Sequence, residues 1–213
     1  MSGRAGVSLG RDLPEEPILR AEPTRFALLQ ARKRDDPARL DEHRSFAMRL
    51  GVPVSAIRTI DILETPLHSG LLSDVDALLV GGAGEFSVLD DFDPIRGFID
   101  FLASMASEGD TPIFASCFGF QALVLGLGGE VISDEEHAEV GSYEIFTTPE
   151  SNADPLFSGL PSPFIAQLGH KDRAARLPED LICLAYSRLT SCQAVRLQGR
   201  PVYATQFHPE LTG

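Results

Sequence analysis

Short apolar runs alternate along the chain with longer segments whose apolar positions recur every three or four residues, so the two periods predict strands and helices in turn. Residues 25–30 read as a first strand, followed by a charged loop, a helix over about residues 38–50 and a strand over 57–62. Residues 76–80, Asp76-Ala77-Leu78-Leu79-Val80, form a continuous apolar run of the kind found in a buried parallel strand. Between residues 94 and 107, Ile95, Phe98, Ile99, Leu102 and Met105 fall at helical spacing. Residues 111–115 leave a proline as another buried strand, and residues 119–126 then read as a helix. Strands alternating with helices predict a parallel sheet with right-handed crossovers. From Glu130 onward strand-like runs crowd together, among them residues 181–186, 191–195 and 201–207, which predicts an added antiparallel section.

Residues 1–24 break this pattern. They are polar and rich in Gly, Pro and acid, with Pro14-Glu15-Glu16-Pro17 at their centre, and read as a mobile tail outside the fold. Residues 25–213 then form one domain without internal repeats, a length that suffices for a full α/β core. Lys plus Arg number 18 against 31 for Asp plus Glu, a net charge of −13 that argues against nucleic acid or an anionic membrane as partner. Cys117, Cys183 and Cys192 have no metal-ligand spacing and form no even disulfide framework, so a reducing cytoplasm is the expected compartment. No apolar run reaches the ~18 residues that span a bilayer.

The chemistry concentrates at two places. Cys117 lies in Phe114-Ala115-Ser116-Cys117-Phe118-Gly119-Phe120-Gln121, on the predicted turn from strand to helix. A turn of this kind lifts a nucleophile above the sheet edge and points backbone amides at what it attacks. The helix N-terminus beside the sulfur favours thiolate over thiol. Some ninety residues later comes Gln206-Phe207-His208-Pro209-Glu210. A residue before proline is pushed towards extended geometry, so His208 and Glu210, two apart, project the same way. Glu210 is then placed to hold one imidazole nitrogen while the other faces the thiol. A third element, Gly81-Gly82-Ala83-Gly84, follows the strand ending at Val80, and one of its amides, taken as that of Gly82, pairs with the amide of Phe118 as an expected oxyanion site.

Together these residues resemble the class I, triad-type glutamine amidotransferases over about residues 26–210, with the Gly-Gly loop, the Cys-x-Gly-x-Gln elbow and the terminal His-Pro-Glu in register. The resemblance implies an open, mostly parallel, flavodoxin-like sheet with helices on both faces. It also implies hydrolysis of the glutamine side-chain amide through a thioester on Cys117, with His208 as base, Glu210 orienting it and no cofactor. Ammonia would pass to an acceptor on a separate synthetase chain. Gly81, Gln121 and the segment Gly141-Ser142-Tyr143 are the residues that the resemblance assigns to substrate. Gly169-His170-Lys171-Asp172 resembles the family's loop before its last strands; by residue type His170 is a rival base and Asp172 a rival acid, ranked second because His170 lacks the paired His-Pro-Glu geometry, and His170 is expected to be a pocket or interface residue. Relatives usually run on beyond the His-Pro-Glu into a closing helix, so the C-terminus at Gly213 is expected to be truncated.

Two other functions fit part of the pattern. The same thioester chemistry would serve a stand-alone γ-glutamyl peptide hydrolase. A regulatory or redox-sensing protein could keep the fold without the reaction, although an intact Cys117, His208 and Glu210 speaks against it. The cations Arg32, Lys33, Arg34 and Arg39 after the first strand are mixed with Asp35 and Asp36, and are expected to be a solvated surface loop rather than an anion site.

Overall fold

The computed structural model describes residues 24–211. The expected tail, residues 1–24, therefore lies outside the described residues except for Thr24, as does the end of the chain from residue 212. The strands are β1 (Phe26–Ala31), β2 (Ile57–Asp61), β3 (Ala77–Ala83), β4 (Ile113–Ser116), β5 (Glu130–Ser133), β6 (Glu139–Thr147), β7 (Phe164–His170), β8 (Asp172–Arg176), β9 (Leu181–Tyr186), β10 (Ala194–Leu197) and β11 (Val202–Thr205). The helices are α1 (Ala38–Leu50), α2 (Asp93–Glu108) and α3 (Phe118–Gly126). Among the described residues no helix is long and apolar enough to cross a membrane.

Nine strands form one sheet in the order β2-β1-β3-β4-β11-β10-β9-β6-β7. The pairs from β2 to β11 are parallel and those from β11 to β7 antiparallel, so the fold is α/β with the antiparallel extension that the crowded C-terminal strands announce. Strands β5 and β8 form a separate antiparallel pair. Alternation along the buried strands sorts side chains to two faces. Leu28 and Leu79 pack with Phe46 and Ala47 of α1. Leu29, Leu78, Val80 and Ala115 belong to the larger core shared with α2 and α3. Helices thus cover both faces.

Two boundaries differ from the sequence expectation. Strand β3 runs on through Gly81 and Gly82 to Ala83, so the two glycines end a strand rather than open a loop. Space explains this: a Cβ on Gly81 would lie 2.5 Å from Cδ of Glu42, and only a bare backbone passes there. Strand β10 begins at Ala194, beyond Cys192, whose Sγ instead contacts the Ala194 carbonyl at 3.4 Å.

Candidate active site

The turn from β4 to α3 carries Cys117, whose backbone lies at φ 49°, ψ −99°. Cys117 is the one non-glycine residue with positive φ among the described residues. Such a conformation costs about 1–3 kcal/mol and persists only where its surroundings fix it. Here the Cys117 N–H donates to Thr205 O at 2.7 Å, and the Gln121 N–H donates to Cys117 O at 3.1 Å to open the helix. The Phe118 ring stacks on Phe98 of α2 with centroids 5.5 Å apart. Gly119 fits against Val80 and Ala115, where a Cβ would come within 2.6 Å of Val80 Cγ1. Sheet, helix and core therefore all hold the strained residue, which is 7% exposed at the C-terminal edge of the parallel strands.

His208 and Glu210 follow β11, the strand paired with β4. The His208 N–H donates to Gln167 O at 2.9 Å, and its Nδ1 lies 2.6 Å from Glu210 Oε1. Ser116, the neighbour of Cys117, donates its hydroxyl to the same carboxylate oxygen at 3.3 Å. Burial works to lower the His208 pKa, but the hydrogen bonds to Cys117 and Glu210 and the charges of both outweigh it and raise it to about 10. The imidazole is thus an imidazolium at neutral pH, flanked by sulfur and carboxylate. Gln206 completes the surroundings of the sulfur, with Nε2 3.7 Å from Sγ.

Cys117 opens into a cleft of ≈ 250 Å³ lined by residues 83–87, Asp90, Phe118, Gln121 and residues 169–172. Gln121 donates to Asp172 O at 2.8 Å and to Gln206 Oε1 at 3.4 Å. Asp172 is 7% exposed; its Oδ2 accepts the Ser87 hydroxyl at 2.5 Å while its Oδ1 has no partner. His170 Nδ1 faces Asp172 O at 3.1 Å and its Nε2 lies 3.2 Å from Glu139 Oε2. Burial alone would raise the Glu139 carboxyl, but the nearby His170, Ser187 and Thr190 outweigh it and hold it below its ordinary value, and Gln193 Nε2 donates to Glu139 Oε2 at 2.6 Å. A larger apolar cavity of ≈ 610 Å³ lies at the other end of the strands, against Phe26, Ala77, Ile113 and Pro201, and contains neither thiol nor imidazole. Among the described residues no group of three or more His, Cys, Asp or Glu is placed to hold a metal ion.

The structure brings together Cys117, Phe118, Gln121, His170, Asp172, His208 and Glu210, and corrects two expectations. The Gly82 amide is not an available oxyanion donor, because it donates to Glu42 Oε1 at 3.0 Å. Gly81 faces that same carboxylate and does not line the cleft. Gly141, Ser142 and Tyr143 pair with Leu168, Gln167 and Ala166 along the β6–β7 ladder. The wall is built instead by Gly84, Glu85, Phe86 and Ser87. Glu42 escapes sequence reasoning because one carboxylate in a charged helix gives no signal of burial. The cations after β1 are all paired, Arg32 with Asp36 and Glu42, Lys33 with Glu85, Arg34 with Glu64 and Arg39 with Asp61. Arg32 departs from the expected solvated loop, its side chain being 12% exposed.

Residues 44–213 match the family model described as glutamine amidotransferase class-I. The chain is 31% identical over 152 residues to a glutamine-hydrolyzing GMP synthase subunit of Thermoplasma acidophilum, covering 70% of each chain. It is 38% identical over 101 residues to the glutamine-hydrolyzing GMP synthase of Thermosipho melanesiensis, a match that covers 47% of this chain and 19% of that relative. A solved structure of a candidate GMP synthase subunit from Thermoplasma acidophilum superposes with a TM-score of 0.70 at 25% identity, over 89% of this chain and 86% of that one.

Proposed function

Because the chain belongs to the class I glutamine amidotransferase family, we propose that it hydrolyses the side-chain amide of glutamine through a thioester on Cys117 and supplies ammonia to a separate acceptor enzyme. The observation that carries this reading is the pair of Glu210 and His208, 2.6 Å apart and beside Cys117, in which carboxylate and sulfur together raise the ring's proton affinity. The sulfur attacks as a thiolate, its proton held by His208. The thiolate attacks the amide carbon, and negative charge on the carbonyl oxygen meets the amides at the start of α3, that of Phe118 first. His208 gives its proton to the departing nitrogen, the C–N bond breaks, and ammonia leaves a γ-glutamyl thioester. Neutral His208 then takes a proton from water, which cleaves the thioester to glutamate and restores the ion pair.

Substrate recognition follows from the opposite wall. Asp172 lines the cleft and its Oδ1 is buried without a partner, a lack that the α-ammonium of an amino acid would satisfy. The relatives named GMP synthase make an acceptor enzyme of that kind the first one to test as partner.

Ammonia release from glutamine and from γ-glutamyl dipeptides, measured with and without such a synthetase, tests the reading. Glutamine should be the better substrate, and Cys117→Ala should bring release to background. Release that survives Cys117→Ala removes the mechanism, and a strong preference for the dipeptide replaces the ammonia donor with a peptidase.

A further inference from the structure

Glu42 lies outside the line from Glu210 to Cys117, yet its carboxylate is buried, with the residue 6% exposed. A carboxylate in the middle of a charged helix ordinarily faces water, because desolvating it costs several kcal/mol unless partners satisfy it. Here both oxygens are satisfied. Oε1 accepts the Gly82 N–H at 3.0 Å and Arg32 Nη2 at 3.2 Å, and Oε2 accepts Gln30 Nε2 at 2.8 Å. Arg32 is itself held by Asp36 at 3.0 Å. Burial is the main cause that keeps the Glu42 carboxyl above its ordinary value, against the pull of Arg32 and Gln30, and the charge of Glu210 adds to the rise.

The peptide that Glu42 grips is also in contact with the imidazole. A Cβ on Gly81 would lie 2.5 Å from Glu42 Cδ, and a Cβ on Gly82 would lie 2.9 Å from His208 Cε1. The bare backbone of Gly81 and Gly82 is therefore a thin spacer, with a buried carboxylate on one side and the ring of His208 on the other. Glu210 fixes the ring at Nδ1. The covalent bond to Cβ and the hydrogen bond to Glu210 hold one side of the ring, and the Gly82 backbone against Cε1 supplies a further restraint.

We propose that Glu42 is a positioning residue for His208: by holding the Gly82 amide it fixes the backbone wall on which the imidazole rests, and so aims the ring's other nitrogen at Cys117. This rests on the reading of His208 as the proton carrier. Glu42 does not reach the substrate, since its carboxylate is buried and its oxygens are held by Gln30, Arg32 and the Gly82 amide. Its loss should therefore fall on kcat and leave KM in place.

Steady-state ammonia release by Glu42→Ala and Glu42→Gln, together with iodoacetamide alkylation of Cys117 followed in its own peptide by mass spectrometry, tests the assignment. Glu42→Ala should lower kcat about 100-fold, the scale on which misplacing a reacting group by ~1 Å acts, with KM for glutamine within about twofold. Glu42→Gln keeps an oxygen for the Gly82 amide, and Gln30 can turn its own amide to suit, so kcat should recover to within about fivefold of the parent. Alkylation of Cys117 should slow in Glu42→Ala but show no further change when that substitution is added to His208→Ala, because no ring is left to aim. If Glu42→Ala does not fold, the double variant Arg32→Met/Glu42→Met removes both buried charges at similar volume and should show the same loss of kcat. An unchanged kcat in a folded variant, a rise in KM that accounts for the loss, a Glu42→Gln as slow as Glu42→Ala, or equal slowing of alkylation in both backgrounds overturns the proposal. Ammonia release that survives Cys117→Ala would instead remove the glutaminase reading, and the alkylation cycle would still judge Glu42.

Discussion

His208 Nδ1 lies 2.6 Å from Oε1 of Glu210, and both side chains come from the short segment that follows β11. The ring's ordinary value is 6.5 and its folded value is about 10, so the folded chain binds this proton more tightly than the unfolded chain. The resulting stability is present in full below about 6.5 and is lost as pH rises through about 10. Glu210→Gln removes one of the anions and should move the midpoint of His208 downward, so the alkaline loss of stability begins at lower pH. Ring resonances followed by NMR and thermal melts across neutral to alkaline pH check this; a parental midpoint near the ordinary value would contradict it.

Gly119→Ala should harm the elbow more than a helix substitution ordinarily does. In an open helix this change stabilises by about 0.8–1 kcal/mol. Here the new methyl would sit 2.6 Å from Val80 Cγ1 and 2.9 Å from the Cβ of Ala115, so overpacking of about 1–3 kcal/mol should outweigh the gain and shift Cys117. Denaturant unfolding beside ammonia release should show a less stable protein whose activity falls even where it remains fully folded.

Asp172→Asn should raise KM for glutamine about tenfold and change kcat less. The substitution keeps the contact with Ser87 and removes only the charge offered to an α-ammonium. Initial-rate kinetics separate the two constants, and a loss confined to kcat would place Asp172 in the proton transfer instead.

His170→Ala should lower stability by about 1–3 kcal/mol, because it removes a neighbour of the buried Glu139 and leaves Gln193 as the donor to its Oε2. Alkylation of Cys117 should stay near the parental rate, in contrast to His208→Ala, since both nitrogens of His170 face Asp172 and Glu139. Fast alkylation in His208→Ala and slow alkylation in His170→Ala would exchange the two roles.

The parallel half of the sheet is legible in the sequence because its strands are buried on both faces and read as unbroken apolar runs such as Leu78-Leu79-Val80. The elbow and the His-Pro-Glu segment are legible because each is local: a strand-to-helix turn, and a proline that extends the residue before it. Long-range contacts are not. Which groups line the cleft depends on how β8 and the segment after β3 meet, so Asp172 and Ser87 come together from 85 residues apart without any local sign. Gly81 and Gly82 do mark a place where backbone comes close to something, but the neighbours are Glu42 and His208 rather than substrate. The strand-like segment of Gly141, Ser142 and Tyr143 carries the family's pattern, and one edge of it pairs with β7.

The most direct test of the central claim is the mass of the protein after incubation with a glutamine-analogue electrophile, with the modified residue mapped by peptide sequencing. One adduct per chain on Cys117, formed fast in the parent, slowly in His208→Ala and suppressed by excess glutamine, is the result this account predicts. Labelling shared with Cys183 or Cys192, or unaffected by His208 and by glutamine, would contradict it.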